Sequence, residues 1–302
     1  MLTRESLLRD IGRLFVWYPL RFASAILPLA VSRRVFRFMG SLHCLAAGQK
    51  RKHLAANLQR LFPDAPGPAK KACLARFFHT HYASQLFIFQ LPKLQARKKL
   101  QQQVAGAACL KALQELDRDR GTIILHGHMH VPQLALYYLF RHNLPVAQIG
   151  HVNEKNLSFV GRVVQLRLRK KLESKLACHI FPAEHFMRGP FRWLQQGNML
   201  FIAADGAGPG RTFGRARRLP FLSGSYQFPS GYLKLAEKTG ARLIWLQLEE
   251  KDRCLHISCR PLPVSGGDET LQDIARLLEN NVRRAPCAWH YLDSPDTAFM
   301  SV

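Results

Sequence analysis

The chain has 302 residues, of which 47% are apolar, so it is long enough for one large α/β domain or two small ones with a full hydrophobic core. Its 44 lysines and arginines against 20 acidic residues give a net charge of +24, which favours an anionic partner such as nucleic acid, an acidic protein or a membrane surface. The basic residues are spread along the whole chain, without paired zinc ligands, an RNP-like strand or a basic zipper, and this argues against nucleic acid.

The first predicted element is an apolar and aromatic segment at residues 15–31, flanked by arginines on both sides. Its 17 residues are marginal for a membrane span, and it contains two prolines and Arg21. We therefore expect a helical segment that lies on anionic lipid rather than one that crosses the bilayer. The alternatives are a cleaved signal peptide, suggested by Ala23-Ser24-Ala25, and a buried core helix.

Helices and strands follow over the rest of the chain, without an internal repeat. Amphipathic patterns predict helices at 47–63, 68–92, 132–142, 158–175, 228–239 and 268–284. Apolar runs predict strands before the first histidine of segment 121–133, at 145–150 and at 197–204, and a hairpin of strands at 241–249 and 254–262. We expect an α/β fold, divided into an N-terminal membrane-associating helical segment at 1–47 and one domain at 48–302.

Seven cysteines are scattered along the chain, and none is in a C-x-x-C pair. An odd number without paired spacing predicts neither a disulfide framework nor a zinc knuckle. We interpret them as reduced thiols that face the cytosol.

A histidine cluster lies in the segment GTIILHGHMHVPQ at residues 121–133, where a β-branched run gives way to the pattern of a helix. This is the usual place of chemistry in an α/β fold. Pro132 suits the first helical position, which puts Gln133 in the first turn, where it can fold back toward His128. A partner on one imidazole nitrogen fixes the tautomer and leaves the other nitrogen free to act as a general base.

A glutamine can orient the ring, but it supplies no negative charge to stabilise an imidazolium. Either another acid supplies that charge, or the protein is slow, or it binds without turnover. Asp205 is the first candidate for the acid, because strand 197–204 delivers it beside a glycine-rich loop.

A metal site is the rival interpretation of the cluster. His126, His128 and His130 alternate, so in a continuing strand they would lie on one face. Hydrolases of the metallo-β-lactamase type have Asp-His after a similar H-x-H, whereas Val131-Pro132 follows here. We therefore expect no metal.

Five stretches carry a family resemblance: RKHLAANLQRLFPD (51–64), the histidine segment, AADGAGPGRTFGRARRLPFLSG (203–224), YLKLAEKTGARLIWL (232–246) and APCAWHYL (285–292). In this order and spacing they resemble the bacterial lipid A biosynthesis acyltransferases, the late lauroyl and myristoyl transferases of the lysophospholipid acyltransferase superfamily. The resemblance implies a central mixed, largely parallel sheet flanked by helices, with an N-terminal helical extension that associates with the membrane.

The resemblance also implies an activity. Its members move a fatty acyl chain from the thioester of acyl carrier protein or coenzyme A to a hydroxyl of a glycolipid or lysolipid, at the cytoplasmic face of the bacterial inner membrane. The family's catalytic base matches His128, its expected glutamate matches Gln133, and its strand-end aspartate matches Asp205. An arginine of the basic helix, Arg167 or Arg169, is expected at the substrate. No bound cofactor is implied beyond the acyl thioester as co-substrate.

Arginines could bind the anionic parts of such substrates. Arg167 and Arg169 could hold a phosphate through charge-assisted hydrogen bonds. Arg211 opens a basic cluster that suits an acidic carrier protein or a phosphorylated lipid, although each set could equally be a solvated face. Two other functions remain open, a catalytically weakened lipid-binding member of the same fold and a histidine–metal hydrolase.

Overall fold

The computed structural model of the chain describes residues 4–94, 97–150, 157–174, 178–182, 188–206, 215–264, 267–293 and 299–300. In this part of the chain the strands are β1 (Val104–Ala105), β2 (Thr122–His126), β3 (Val146–Gly150), β4 (His179–Pro182), β5 (Met199–Ala203), β6 (Ala216–Phe221), β7 (Gly224–Pro229), β8 (Arg242–Lys251), β9 (Cys254–Leu262) and β10 (Phe299–Met300).

A mixed sheet of seven strands, in the order β1-β9-β8-β2-β5-β3-β4, forms the centre of the fold. Its neighbours are parallel except β8 and β9, which form the expected antiparallel hairpin. Parallel neighbours end at the same edge of a sheet, so His126 at the end of β2 lies opposite Ala203 at the end of β5. The predicted α/β class with a largely parallel sheet is confirmed.

Helices cover the sheet, and their bounds follow the predicted amphipathic segments closely. In chain order they are α1 (Arg4–Phe15), α2 (Arg21–Ile26), α3 (Leu29–Ala46), α4 (Gly48–Leu61), α5 (Gly67–Gln90), α6 (Arg97–Gln101), α7 (Ala107–Gln114), α8 (Pro132–Arg141), α9 (Arg167–Glu173), α10 (Arg188–Gln195), α11 (Gly231–Thr239) and α12 (Gly267–Arg284). The predicted basic helix at 158–175 differs, because a π-helical turn at Gly161–Leu166 precedes α9.

A second, antiparallel sheet of order β10-β7-β6 was not predicted. Its β7 takes the first residues of the helix expected at 228–239, so that α11 begins only at Gly231. The physical reason is the burial of aromatic side chains at alternate positions of a strand. Tyr226 and Phe228 are both buried and both pack on Phe221, and Tyr226 also packs on Trp289.

The N-terminal helices pack onto α5 through one buried face. Trp17 and Phe36 are almost fully buried, and their rings meet Phe89 edge to face at centroid distances of 5.1 Å and 6.0 Å. In the part of the chain that the structure describes, no helix is both long enough and apolar enough to cross a membrane. All seven cysteines are free thiols.

Candidate active site

The three histidines diverge, because β2 ends at His126 and the chain turns through residues 127–131 before α8 begins. The rival metal interpretation required a strand that continues through all three histidines, and the structure does not contain one there. His126 points into the core, where its ring stacks on Phe201 at a centroid distance of 4.1 Å. Burial lowers the pKa of His126 to about 4, so this ring is neutral at physiological pH.

His128 is paired with Asp205 across the ends of β2 and β5. Its Nδ1 lies 2.7 Å from Oδ1 of Asp205, and its backbone N–H donates to Oδ2 at 2.9 Å. The carboxylate therefore fixes both the ring and the backbone of His128. The side chain of His128 remains 24% exposed, so part of the ring is open to solvent.

Asp205 is buried and ionised. Trp289 Nε1 donates a third hydrogen bond to the carboxylate, at 3.0 Å to Oδ2. Burial alone would raise the pKa of Asp205, but the charge and hydrogen bonds of His128, together with the Trp289 hydrogen bond, hold that pKa below its usual value. Gly206 follows with φ of +90°, a backbone conformation that favours glycine and lets the chain turn away directly after the acid.

A segment near the C-terminus completes the site. It consists of two 3₁₀ turns, Pro286–Ala288 and His290–Asp293, and it pairs antiparallel with the histidine loop. The backbone N–H of His290 donates to the carbonyl of His128 at 2.9 Å. Tyr291 lies against His128, with ring centroids 4.6 Å apart and its hydroxyl 3.3 Å from Nε2.

His130 has a positive φ of 53°, which is unusual for a residue with a side chain. Its backbone is held in this conformation by hydrogen bonds, because its N–H donates to Ala288 O at 2.9 Å and its carbonyl accepts from His290 Nε2 at 2.6 Å. Its Nδ1 lies 3.7 Å from Glu250 Oε2, beside a mainly apolar cavity of about 100 Å³ between α3, α5 and α8. Within the described ranges, no three potential ligand side chains cluster closely enough to hold a metal ion.

Gln133 lies in the first turn of α8, as the sequence predicts, and is half-buried. Among the described residues it makes no hydrogen bond to His128, whose Nδ1 is occupied by Asp205. Of the two possible partners that the sequence left open, the structure thus places the aspartate at the ring.

Neither Arg167 nor Arg169 forms a hydrogen bond or ion pair with His128 in the part of the chain that the structure describes. Arg167 is exposed at the start of α9, and Arg169 pairs with Glu173 one turn later, with Nε 2.6 Å from Oε1. Arg211 lies outside the described residues.

Trp289 and Tyr291 were not identified as site residues from the sequence, where their segment served only as part of a family resemblance. They are separated from His128 by about half the chain, and only folding brings them to the ends of β2 and β5. The available signal was three consecutive ring-bearing residues, Trp289-His290-Tyr291, in a short segment that follows a helix.

The family model described as bacterial lipid A biosynthesis acyltransferase matches residues 5–294, nearly the whole chain. A search of curated proteins finds no match. A match of this extent establishes the family, and the chain therefore belongs to the bacterial lipid A biosynthesis acyltransferases and is a lipid acyltransferase.

Proposed function

We propose that the protein transfers a fatty acyl chain from an acyl thioester to a hydroxyl of a glycolipid or lysolipid, with His128 as the general base. The observation that carries the proposal is the contact of 2.7 Å between His128 Nδ1 and Asp205 Oδ1. An ionised Asp205 requires a hydrogen on Nδ1, so the neutral ring presents a bare Nε2 to the substrate.

The reaction follows from this tautomer. Nε2 takes the proton of the acceptor hydroxyl while the hydroxyl oxygen attacks the thioester carbonyl carbon. Asp205 stabilises the imidazolium that forms. The tetrahedral intermediate then collapses: the C–S bond breaks, the ester remains on the acceptor, and the departing sulfur takes the proton from Nε2. One proton thus passes from the acceptor hydroxyl to the released thiol by way of Nε2, and the proposed reaction uses no bound cofactor.

The cavity beside the histidine loop supports a lipid substrate. Its walls include Leu29, Leu86, Phe87 and Leu134, and it borders His130 on the same loop as His128. A mainly apolar cavity on the loop that carries the proposed base suits part of an acyl chain, because each buried methylene contributes about 0.8 kcal/mol to binding. The charged residues that line it are Arg33, Glu250 and Arg253.

The surface also supports action on lipid at a membrane. Large apolar side chains are exposed on α1, the following π-helical turn and α2, where they recur every three or four residues: Leu7, Ile11, Leu14, Tyr18, Phe22 and Ile26. Phe159 and Val163 are also exposed. They lie just before and within the π-helical turn at Gly161–Leu166, which packs against α1. Such a face, in a segment that arginines flank in the sequence, fits an anionic lipid surface, and we assign it to the cytoplasmic face of the inner membrane.

The arginines named from the sequence remain candidates for binding the acyl donor. Arg167 is exposed and forms no ion pair with any residue that the structure describes, whereas Arg169 already neutralises Glu173. We propose that Arg167, together with Arg211, attracts the acidic surface of acyl carrier protein or the phosphates of coenzyme A. Gln133 remains a candidate for contact with the substrate, because it is half-buried in the first turn of α8, directly after the histidine loop.

The test is acyl transfer by purified protein, with acyl carrier protein or coenzyme A thioesters as donors and bacterial lysolipids and glycolipids as acceptors. We expect an ester product by mass spectrometry, and His128→Ala should lower its rate by about 10² to 10⁴-fold. His130→Ala is the matched control on the same loop and should lose less. Binding of thioester without any product would support a lipid-binding protein instead.

A further inference from the structure

The hydroxyl of Tyr291 lies between two potential hydrogen-bond acceptors. It is 3.3 Å from His128 Nε2 and 3.1 Å from the backbone carbonyl oxygen of Gly206. The side chain is 9% exposed, and burial raises the pKa of Tyr291 above its ordinary value, so the hydroxyl keeps its hydrogen at every pH of interest.

A count of hydrogens shows which protonation state of His128 this arrangement favours. With the neutral ring, Nε2 and the Gly206 carbonyl both need a hydrogen, and the Tyr291 hydroxyl has only one. With the protonated ring, Nε2–H donates to the Tyr291 oxygen, and the hydroxyl donates to Gly206. A chain of hydrogen bonds then runs from Asp205 through His128 and Tyr291 to Gly206, and every member is satisfied.

The other titratable groups that face His128 do not accept the hydrogen of its protonated Nε2. His126 lies 5.9 Å from His128 by ring centroids, and His290 directly precedes Tyr291 in the chain. Burial is the main cause that lowers the pKa of each to about 4, so both are uncharged at neutral pH. Among the described residues Asp205 supplies the negative charge at Nδ1, and Tyr291 is the neighbour at Nε2.

We propose that Tyr291 is a positioning residue for the acyl transfer: its hydroxyl accepts the hydrogen of protonated His128 Nε2 and donates its own hydrogen to the Gly206 carbonyl. The inference rests on the proposed function for its role in catalysis, although the hydrogen-bond chain can be tested without turnover. At 3.3 Å the contact is long enough for the substrate oxygen to share the same hydrogen.

The experiment compares the full-length wild-type chain with Tyr291→Phe, which keeps the ring that packs on His128. The titration of His128 is followed by NMR of labelled histidine, with His128→Ala used to assign its signal. Tyr226→Phe is the matched control, because it removes another buried tyrosine hydroxyl that donates to a backbone carbonyl, that of Asp205, at 2.9 Å.

We expect Tyr291→Phe to lower the pH at which His128 takes up its proton by roughly 0.5 to 1 unit, because the imidazolium loses an acceptor. The acid limb of the kcat/KM profile should move in the same direction, with a plateau roughly threefold to tenfold lower. Tyr226→Phe should leave both pH values in place, even where it lowers thermal stability equally.

An unchanged NMR titration in Tyr291→Phe overturns the inference, as does an equal shift in Tyr226→Phe. A shifted titration in a protein that forms no ester would support the hydrogen-bond chain and refute the proposed acyl transfer, so the two failures are distinguishable.

Discussion

Replacing Asp205 by asparagine removes the negative charge of the carboxylate and keeps the size and shape of the side chain. In the wild type, Oδ1 accepts from His128 Nδ1, whereas Oδ2 accepts from both the His128 backbone N–H and Trp289 Nε1. An asparagine has one oxygen for these three donors. It should turn that oxygen to the Oδ2 position, where two donors meet it, and present its NH₂ group to Nδ1.

The histidine must then change tautomer. Nδ1 can accept from the NH₂ group only if its hydrogen moves to Nε2, which places a hydrogen on the nitrogen that should act as the base. The comparable Asp to Asn change in the Ser-His-Asp triad costs about 10⁴-fold in kcat for the same reason. We therefore expect Asp205→Asn to lower the rate of acyl transfer by about 10³ to 10⁴-fold.

The assay is ester formation from a labelled acyl thioester, with circular dichroism to verify the fold and ¹⁵N NMR of the imidazole to read the tautomer. His128→Ala and the double variant His128→Ala/Asp205→Asn complete the comparison, and the double variant should be no slower than His128→Ala alone, because the two residues act as one unit. An Asp205→Asn variant that keeps more than about a tenth of the activity would refute this reasoning.

Three further predictions follow from other parts of the structure. Because Asp205 already occupies Nδ1 of His128, Gln133→Glu should leave the transfer rate unchanged or lower it, and a clear rise in rate would show that Gln133 is the missing partner. His126 has a pKa of about 4 in the folded protein against an ordinary 6.5, so the unfolded chain takes up this proton first as the pH falls. The free energy of unfolding, measured with urea, should therefore fall by about 3 kcal/mol between pH 6.5 and pH 4. The variant His126→Phe should lack this part of the fall. Binding to anionic vesicles in flotation assays should weaken with salt, and Phe22→Ser and Phe159→Ser should each weaken it further, whereas no loss in either variant would contradict the proposed lipid-facing surface.

The sequence predicts the strand ends of this site well. Continuous apolar runs mark β2 and β5 as buried strands, and each is followed by a polar side chain, so His128 and Asp205 could both be named in advance. Their pairing could be named only as one of two possibilities, since the order of strands in a sheet is a property of the fold. A neighbour five residues away in the chain, Gln133, therefore competed with an acid that is distant in sequence but adjacent in the sheet.

Contacts between distant parts of the chain could not be predicted from local sequence patterns. The position of Trp289 and Tyr291 depends on how the C-terminal segment pairs with the histidine loop, which is a contact between residues about 160 positions apart. The end of β2 at His126 lies close to the predicted one, and only the rival metal interpretation required a strand that continues through all three histidines.

The most direct test of the central claim is mass spectrometry of lipids from cells that lack the gene, complemented with the wild-type chain or with His128→Ala. The account predicts that one lipid species loses a single ester-linked acyl chain in the deletion, that the wild-type chain restores it, and that His128→Ala does not. Identical lipids in cells with and without the gene, or full restoration by His128→Ala, would contradict it.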